Sequence, residues 1–160
     1  MLSRCRLYTS LICYGVLFLW VGNLLAQDQK RFTLLNSRHT GIDFNNKVKD
    51  TKDRNILLYA NFYGGAGVGV GDFNNDGLKD IYFAGNFVSD KLYLNQGNFK
   101  FKDVTKKAGI IDDGGWSTAV TVADVNNDGH LDIYVSRELD DDKPEWRRNL
   151  LYINKGDGTF

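Results

Sequence analysis

The chain has 160 residues in which 20 Lys and Arg are matched by 20 Asp and Glu, a balance that excludes the basic surface expected of a nucleic-acid binder. Hydrophobic residues at 42% and aromatics at 13% are enough for a core and exclude disorder throughout. Seventeen glycines beside a single proline, Pro144, is the punctuation of an all-β chain rich in tight turns.

The amino end reads as an address. Arg4 and Arg6 precede an unbroken apolar run from Leu11 to Val21, the plan of a secretory signal peptide over residues 1–26. Cleavage after Ala26 is expected, although Leu24 stands where a small residue is preferred. An uncleaved anchor is the alternative. The run falls well short of the ~20 apolar residues of a spanning helix, and Asn23 interrupts its extension. Lipidation at Cys13 is disfavoured because Ile12 precedes it. Cys5 and Cys13 leave with the signal, so the mature chain would begin at Gln27 without cysteine, a disulfide framework or a membrane span. It would carry 18 basic and 20 acidic residues, and its stability outside the cytoplasm would rest on packing or metal.

Residues 27–63 form a polar lead-in with isolated aromatics, able to contribute one strand. Four short strands are then expected: Val68–Gly71, Asp80–Phe83, Lys91–Leu94 and Phe99–Val104, joined by Asn-Asp-Gly and Asn-Gln-Gly turns. The pattern repeats. Val68-Gly-Val-Gly-Asp72 through Ile81-Tyr-Phe is matched 52 residues on by Val120-Thr-Val-Ala-Asp124 through Ile133-Tyr-Val, and Leu92-Tyr-Leu-Asn is echoed 59 residues on by Leu151-Tyr-Ile-Asn. The seven additional residues fall in the Glu138–Trp146 region and read as a loop insertion. A period in the fifties, with four short strands per unit, predicts β-propeller blades: blade 1 over residues 64–107 and blade 2 over residues 108–160. Blade 2 is expected to lack its last strand. The two repeats are thus read as a fragment of a larger propeller, since two blades cannot close a ring.

The chemistry concentrates between the first two strands of each repeat. Asp72, Asn74, Asp76 and Asp80 occupy positions 1, 3, 5 and 9 of a nine-residue loop, as do Asp124, Asn126, Asp128 and Asp132. Calcium takes six to eight hard oxygens, and alternate side chains of a curled loop can converge on one ion. Glycine at position 6 permits the reversal, and position 7, Leu78 or His130, is expected to offer only its backbone carbonyl. An EF-hand would need a bidentate Glu at position 12, where Phe83 and Val135 stand instead. A plain Asn-Asp-Gly hairpin turn accounts for the middle of each loop but not for the aspartates at positions 1 and 9.

Gly71-Asp72-Phe-Asn-Asn-Asp76-Gly77-Leu-Lys-Asp80-Ile resembles the FG-GAP/VCBS repeat, the calcium-loop blade of integrin α-chain propellers and of many secreted bacterial proteins. Phe101-Lys-Asp-Val-Thr-Lys-Lys-Ala-Gly109-Ile and Thr40-Gly-Ile-Asp-Phe-Asn45 are similar to segments of bacterial VCBS-repeat proteins, whose longer members end in an ASPIC/UnbV-type domain. The resemblance covers about residues 32–160. It implies a seven-bladed-type propeller with further blades C-terminal to residue 160. It also implies calcium at both loops and a secreted or cell-surface location.

Other chemistry is not indicated. His39 and His130 are the only histidines, no His/Cys cluster suggests zinc, and no serine occupies a nucleophile elbow. Gly64-Gly-Ala-Gly67-Val-Gly69 does not fit a dinucleotide fingerprint and is better read as close strand packing. Lys155-Gly156-Asp157 superficially resembles an adhesion tripeptide at a turn. Trp116 and Trp146 are read as packing before sugar stacking. Two classes of function remain: a calcium-stabilised extracellular scaffold that binds a protein or glycan, or the non-catalytic part of a propeller-based lyase or hydrolase. The absence of an acid/base set favours the scaffold.

Overall fold

The computed structural model describes residues 31–59, 61–111, 113–138 and 147–160. The expected signal peptide and most of the acidic insertion lie outside these residues. The chain divides into Met1–Leu34 and Leu35–Phe160. Of the first unit, residues 31–34 are described, and they are exposed and without regular structure.

The second unit is nearly all β. Strands β1 (Val68–Gly71), β2 (Asp80–Phe83), β3 (Lys91–Asn95) and β4 (Phe101–Asp103) form an antiparallel sheet in the order β1-β2-β3-β4. Strands β5 (Ser117–Ala123), β6 (Asp132–Arg137) and β7 (Leu150–Tyr152) form a second, in the order β5-β6-β7. The registers repeat with the sequence. Val70 faces Ile81 as Val122 faces Ile133, and Tyr82 faces Leu92 as Tyr134 faces Leu151. Two one-turn helices, α1 (Ser37–Thr40) and α2 (Thr105–Ala108), end in left-handed glycines, Gly41 and Gly109.

The first two strands have the expected bounds. The fourth is shorter than the expected Phe99–Val104 because Asn98 and Phe99 take positive φ in the turn, while Val104 starts α2. The described part of the lead-in forms α1 and turns, with no strand. It covers sheet one instead: Phe44 stacks on Phe83 at 5.0 Å, and Tyr93 donates to Asp43 at 2.6 Å. Further along, Tyr59 and Phe62 pack on Trp116, which is 3% exposed and so serves the interior.

How the sheets stack follows from strand parity. Tyr82 and Leu92 are fully buried, but their repeat counterparts Tyr134 and Leu151 are exposed. In the second sheet it is the neighbouring residues Ile133, Val135 and Tyr152 that enter the shared core. Adjacent strand residues point to opposite faces, so one face of sheet one meets the opposite face of sheet two. That is the head-to-tail stacking of successive blades, not the matched faces of a sandwich. Close approach of β1 to β5 requires glycine. A Cβ on Gly69 would lie 2.6 Å from Val120 Cγ1, and one on Gly67 would lie 2.6 Å from the Val120 backbone nitrogen. The glycine-rich stretch is therefore packing, as its sequence suggested.

A buried polar hub ties the sheets together. Asp90 accepts hydrogen bonds from the Tyr82 hydroxyl (2.7 Å), the Ser117 hydroxyl (3.0 Å) and the Gly85 amide (2.8 Å). Burial pushes its carboxyl above the ordinary range, against these three donors and the field of Arg137. Arg137, with its side chain 2% exposed, forms a two-pronged pair with Asp113 at 2.7 and 2.9 Å. Among the described residues no helix is long and apolar enough to cross a membrane.

Candidate metal centre

Each aspartate loop connects the first two strands of its sheet. In the first, Asp72 accepts from the backbone of Asp76 (3.1 Å) and Gly77 (2.8 Å), and Asp76 accepts from the backbone of Leu78 (2.8 Å). The Asn74 side chain bridges them, accepting from Asp76 N at 3.3 Å and donating to the Asp76 carboxylate at 2.9 Å. Asn75 (φ 57°) and Gly77 (φ 85°) adopt the left-handed conformation that turns these amides inward. Asparagine and glycine are the residues that tolerate it.

The second loop reproduces the first bond for bond. Asp124 accepts from Asp128 (3.1 Å) and Gly129 (2.8 Å), Asp128 accepts from His130 (2.9 Å), and Asn126 donates to Asp128 at 2.8 Å. The amide of His130, then that of Asn126, holds the Asp128 carboxyl below its usual range. Asn127 and Gly129 repeat the positive φ values at 59° and 87°.

Position 9 behaves differently. Asp80 and Asp132 are 0% and 1% exposed. Asp80 accepts from the Phe73 and Asn95 backbones at 2.8 Å each, and Asp132 from Val125 at 2.9 Å and Asn154 at 2.8 Å. Burial pushes the Asp80 carboxyl up, and the negative charges of Asp76 and Asp72 add to that while the two backbone amides oppose it. Thus positions 1, 3 and 5 come together toward the tip, where Asp76 and Asp128 are exposed while Asp72 and Asp124 are half-buried, and position 9 is anchored beneath. Among the described residues, no three Asp, Glu, His or Cys side chains form a group able to hold a metal ion. The donor chemistry nevertheless fits a hard cation. Every candidate side chain offers oxygen except those of Leu78 and His130, which were expected to contribute only their carbonyls, and a carboxylate oxygen holding one amide retains a second lone pair.

Position 7 carries a role that sequence reasoning missed in one repeat. Leu78 is partly exposed, whereas the His130 ring reaches the preceding loop, with Nδ1 2.6 Å from Asn75 Nδ2. Asn95 and Asn154, read as turn residues, prove to be supports of position 9. Their recurrence after each Leu-Tyr-x motif was the available signal. Lys155-Gly156-Asp157 is occupied with its own turn, Asp157 accepting from the Thr159 amide and hydroxyl at 2.9 and 2.6 Å.

Short antiparallel sheets stacked head to tail, each with an aspartate loop between its first strands, define a propeller-type repeat protein. The FG-GAP-like repeat family matches residues 72–135, from the first loop into β6, so this stretch of the chain is similar to an FG-GAP-like repeat. Cartilage acidic protein 1 of Mus musculus is 36% identical over 69 residues, which cover 43% of this chain and 11% of that protein. Its Xenopus tropicalis counterpart is 32% identical over 72 residues, covering 45% and 11%. The matched stretch therefore spans about a tenth of the length of these curated relatives. Repeats of this family are generally non-catalytic scaffolds.

Proposed function

We propose that this chain is an exported, calcium-stabilised scaffold whose propeller-type blades present loops to an extracellular protein or glycan. The observation that carries the calcium reading is the duplication of one hydrogen-bond network in both loops. Asp72, Asn74, Asp76 and Asp80 are held as Asp124, Asn126, Asp128 and Asp132 are, with the backbone of Leu78 and His130 at position 7. Each loop carries three carboxylates, two near the tip and one buried beneath, and a divalent cation drawn between them would relieve their mutual repulsion. When bound, the ion supplies cross-linking of the loop and no chemistry; the chain's own residues do the positioning.

Calcium should therefore raise the melting temperature and EDTA should lower it. At a hundredfold excess over Kd the gain is about 2.7 kcal/mol per loop. Extracellular modules bind in the ~10⁻⁴–10⁻³ M range, so the titration must reach tens of millimolar. Asp76→Ala combined with Asp128→Ala should abolish the response. A folded wild type that melts identically with calcium and with EDTA would reduce both loops to hairpin turns.

Export rests on the basic-then-apolar amino end and on the absence of cysteine after residue 26. Expressed with its own amino end, the protein should leave the cytoplasm with an intact mass that begins at Gln27. A full-length, membrane-extracted product would replace the cleaved signal with an anchor.

A further inference from the structure

We infer that the two aspartate loops act as a coupled pair, an ion in either raising the affinity of the other, with Asn154 as the positioning residue that joins them. The inference rests on the proposal that both loops take calcium. A continuous line of hydrogen bonds connects them. Asp80 Oδ2 accepts from Phe73 N at 2.8 Å, Phe73 O accepts from Asn154 Nδ2 at 2.8 Å, and Asn154 N donates to Asp132 Oδ1 at 2.8 Å. Three bonds thus run from the ninth-position carboxylate of one loop to that of the other. The line is interior throughout, since Phe73 and Asp80 are 0% exposed, Asp132 1% and Asn154 2%.

The Asn154 amide cannot turn without breaking several bonds. Its Nδ2 also donates to Leu131 O at 2.9 Å, at position 8 of the second loop, and its Oδ1 accepts from Gly156 N at 2.9 Å. The counterpart Asn95 serves as an internal control. It makes the two equivalent bonds within its own loop, to Asp80 Oδ1 and to Lys79 O at 2.9 Å. The bond to Phe73 is what Asn154 adds. A second tie lies at the surface, where Asn75 at position 4 of the first loop meets His130 at position 7 of the second. The His130 ring is pressed against Gly156, where a Cβ would lie 2.7 Å from Nε2.

The direction of coupling follows from ordering. An ion that fixes the first loop fixes the Phe73 peptide, and through Asn154 the placement of Asp132. The second ion then meets a loop whose ordering has already been met, which is positive coupling, and it must be reciprocal. Repulsion between the ions opposes this, and solvent and salt at the exposed Asp76 and Asp128 weaken it.

Calorimetric titration of the whole chain with calcium tests the inference. Wild type should take up two ions with a Hill coefficient clearly above one. Asp124→Ala with Asp128→Ala, the first half-buried and the second exposed, should leave one ion bound at the first loop with affinity reduced about fivefold or more. Asn75→Gly, which suits a φ of 57°, and His130→Ala, which keeps its carbonyl, should each move the Hill coefficient toward one. Asn154→Ala, if folded by circular dichroism, should do so most. Two ions bound independently by wild type, or an unchanged first-loop affinity in the second-loop variant, overturn the coupling and leave the calcium reading standing. No calcium uptake at all overturns that reading, and the coupling with it.

Discussion

Asp80→Ala and Asp132→Ala should each destabilise the chain strongly even in EDTA, whereas Asp76→Ala and Asp128→Ala should matter little until calcium is added. The position-9 carboxylates are buried, and each accepts two backbone amides, one through a buried bond and one through a partly buried bond. Alanine would leave both donors without their partner, and the buried one without water. At roughly 1–3 kcal/mol for each orphaned group, the loss should be about 3 kcal/mol per site. That corresponds to a fall of ~10 °C in Tm for a unit of this size. Asp76 and Asp128 sit at the exposed tip, where water replaces what alanine removes. Thermal melts of the four variants with and without EDTA separate the roles. Equal damage from all four in EDTA would mean that tip and anchor are one structural unit.

The other large effect is expected at Asp90. Asp90→Ala removes the acceptor for Tyr82, Ser117 and Gly85 at once, and should cost about 4 kcal/mol, with both sheets loosened together. Asp90→Asn keeps one acceptor and exposes the pH dependence. Because burial raises the folded-state pKa above the unfolded one, the wild type holds a proton there that the unfolded chain has lost. The corresponding stability is complete below the unfolded pKa and declines as pH rises toward the folded value. The gap between wild type and Asp90→Asn should therefore be widest near pH 4 and narrow toward neutrality. Urea midpoints at several pH values measure it. A gap that widens with pH would show that the Tyr82, Gly85 and Ser117 hydrogen bonds, with Arg137, stabilise the charge by more than burial opposes it.

Strand positions were legible because glycine, asparagine and aspartate mark both ends of β1 and β2, and because the second repeat confirms each assignment. The loops were legible for the same reason: their hydrogen bonds join residues within a few positions of one another. Helix α2 was not, since four residues are too few to show a helical period. Asp90, Asn154 and the Arg137–Asp113 pair escaped because each has a partner distant in sequence, with Ser117 27 residues from Asp90, Phe73 81 from Asn154 and Asp113 24 from Arg137. Asp90 reads locally as one more polar residue after a turn. Only the packing of one sheet on the next turns it into a shared acceptor. His130 was assigned its backbone alone, because nothing in its own loop predicts that the ring would reach Asn75 of another.

Head-to-tail stacking also alters what a substitution means. Tyr82 and Tyr134 are the same letter in the same place of the repeat, as are Leu92 and Leu151, yet the first of each pair is enclosed and the second open. Replacing Tyr82 or Leu92 with a charged residue would place a charge between two sheets. Tyr134 and Leu151 lie on the equivalent face of the second sheet, the face that a further sheet stacked in the same way would cover. Each unit thus buries one face against the unit before it and offers the other to the unit after it, so the two faces of one sheet answer to different neighbours. Neighbouring units can diverge position by position while keeping a common backbone, because no unit has to complement its own image.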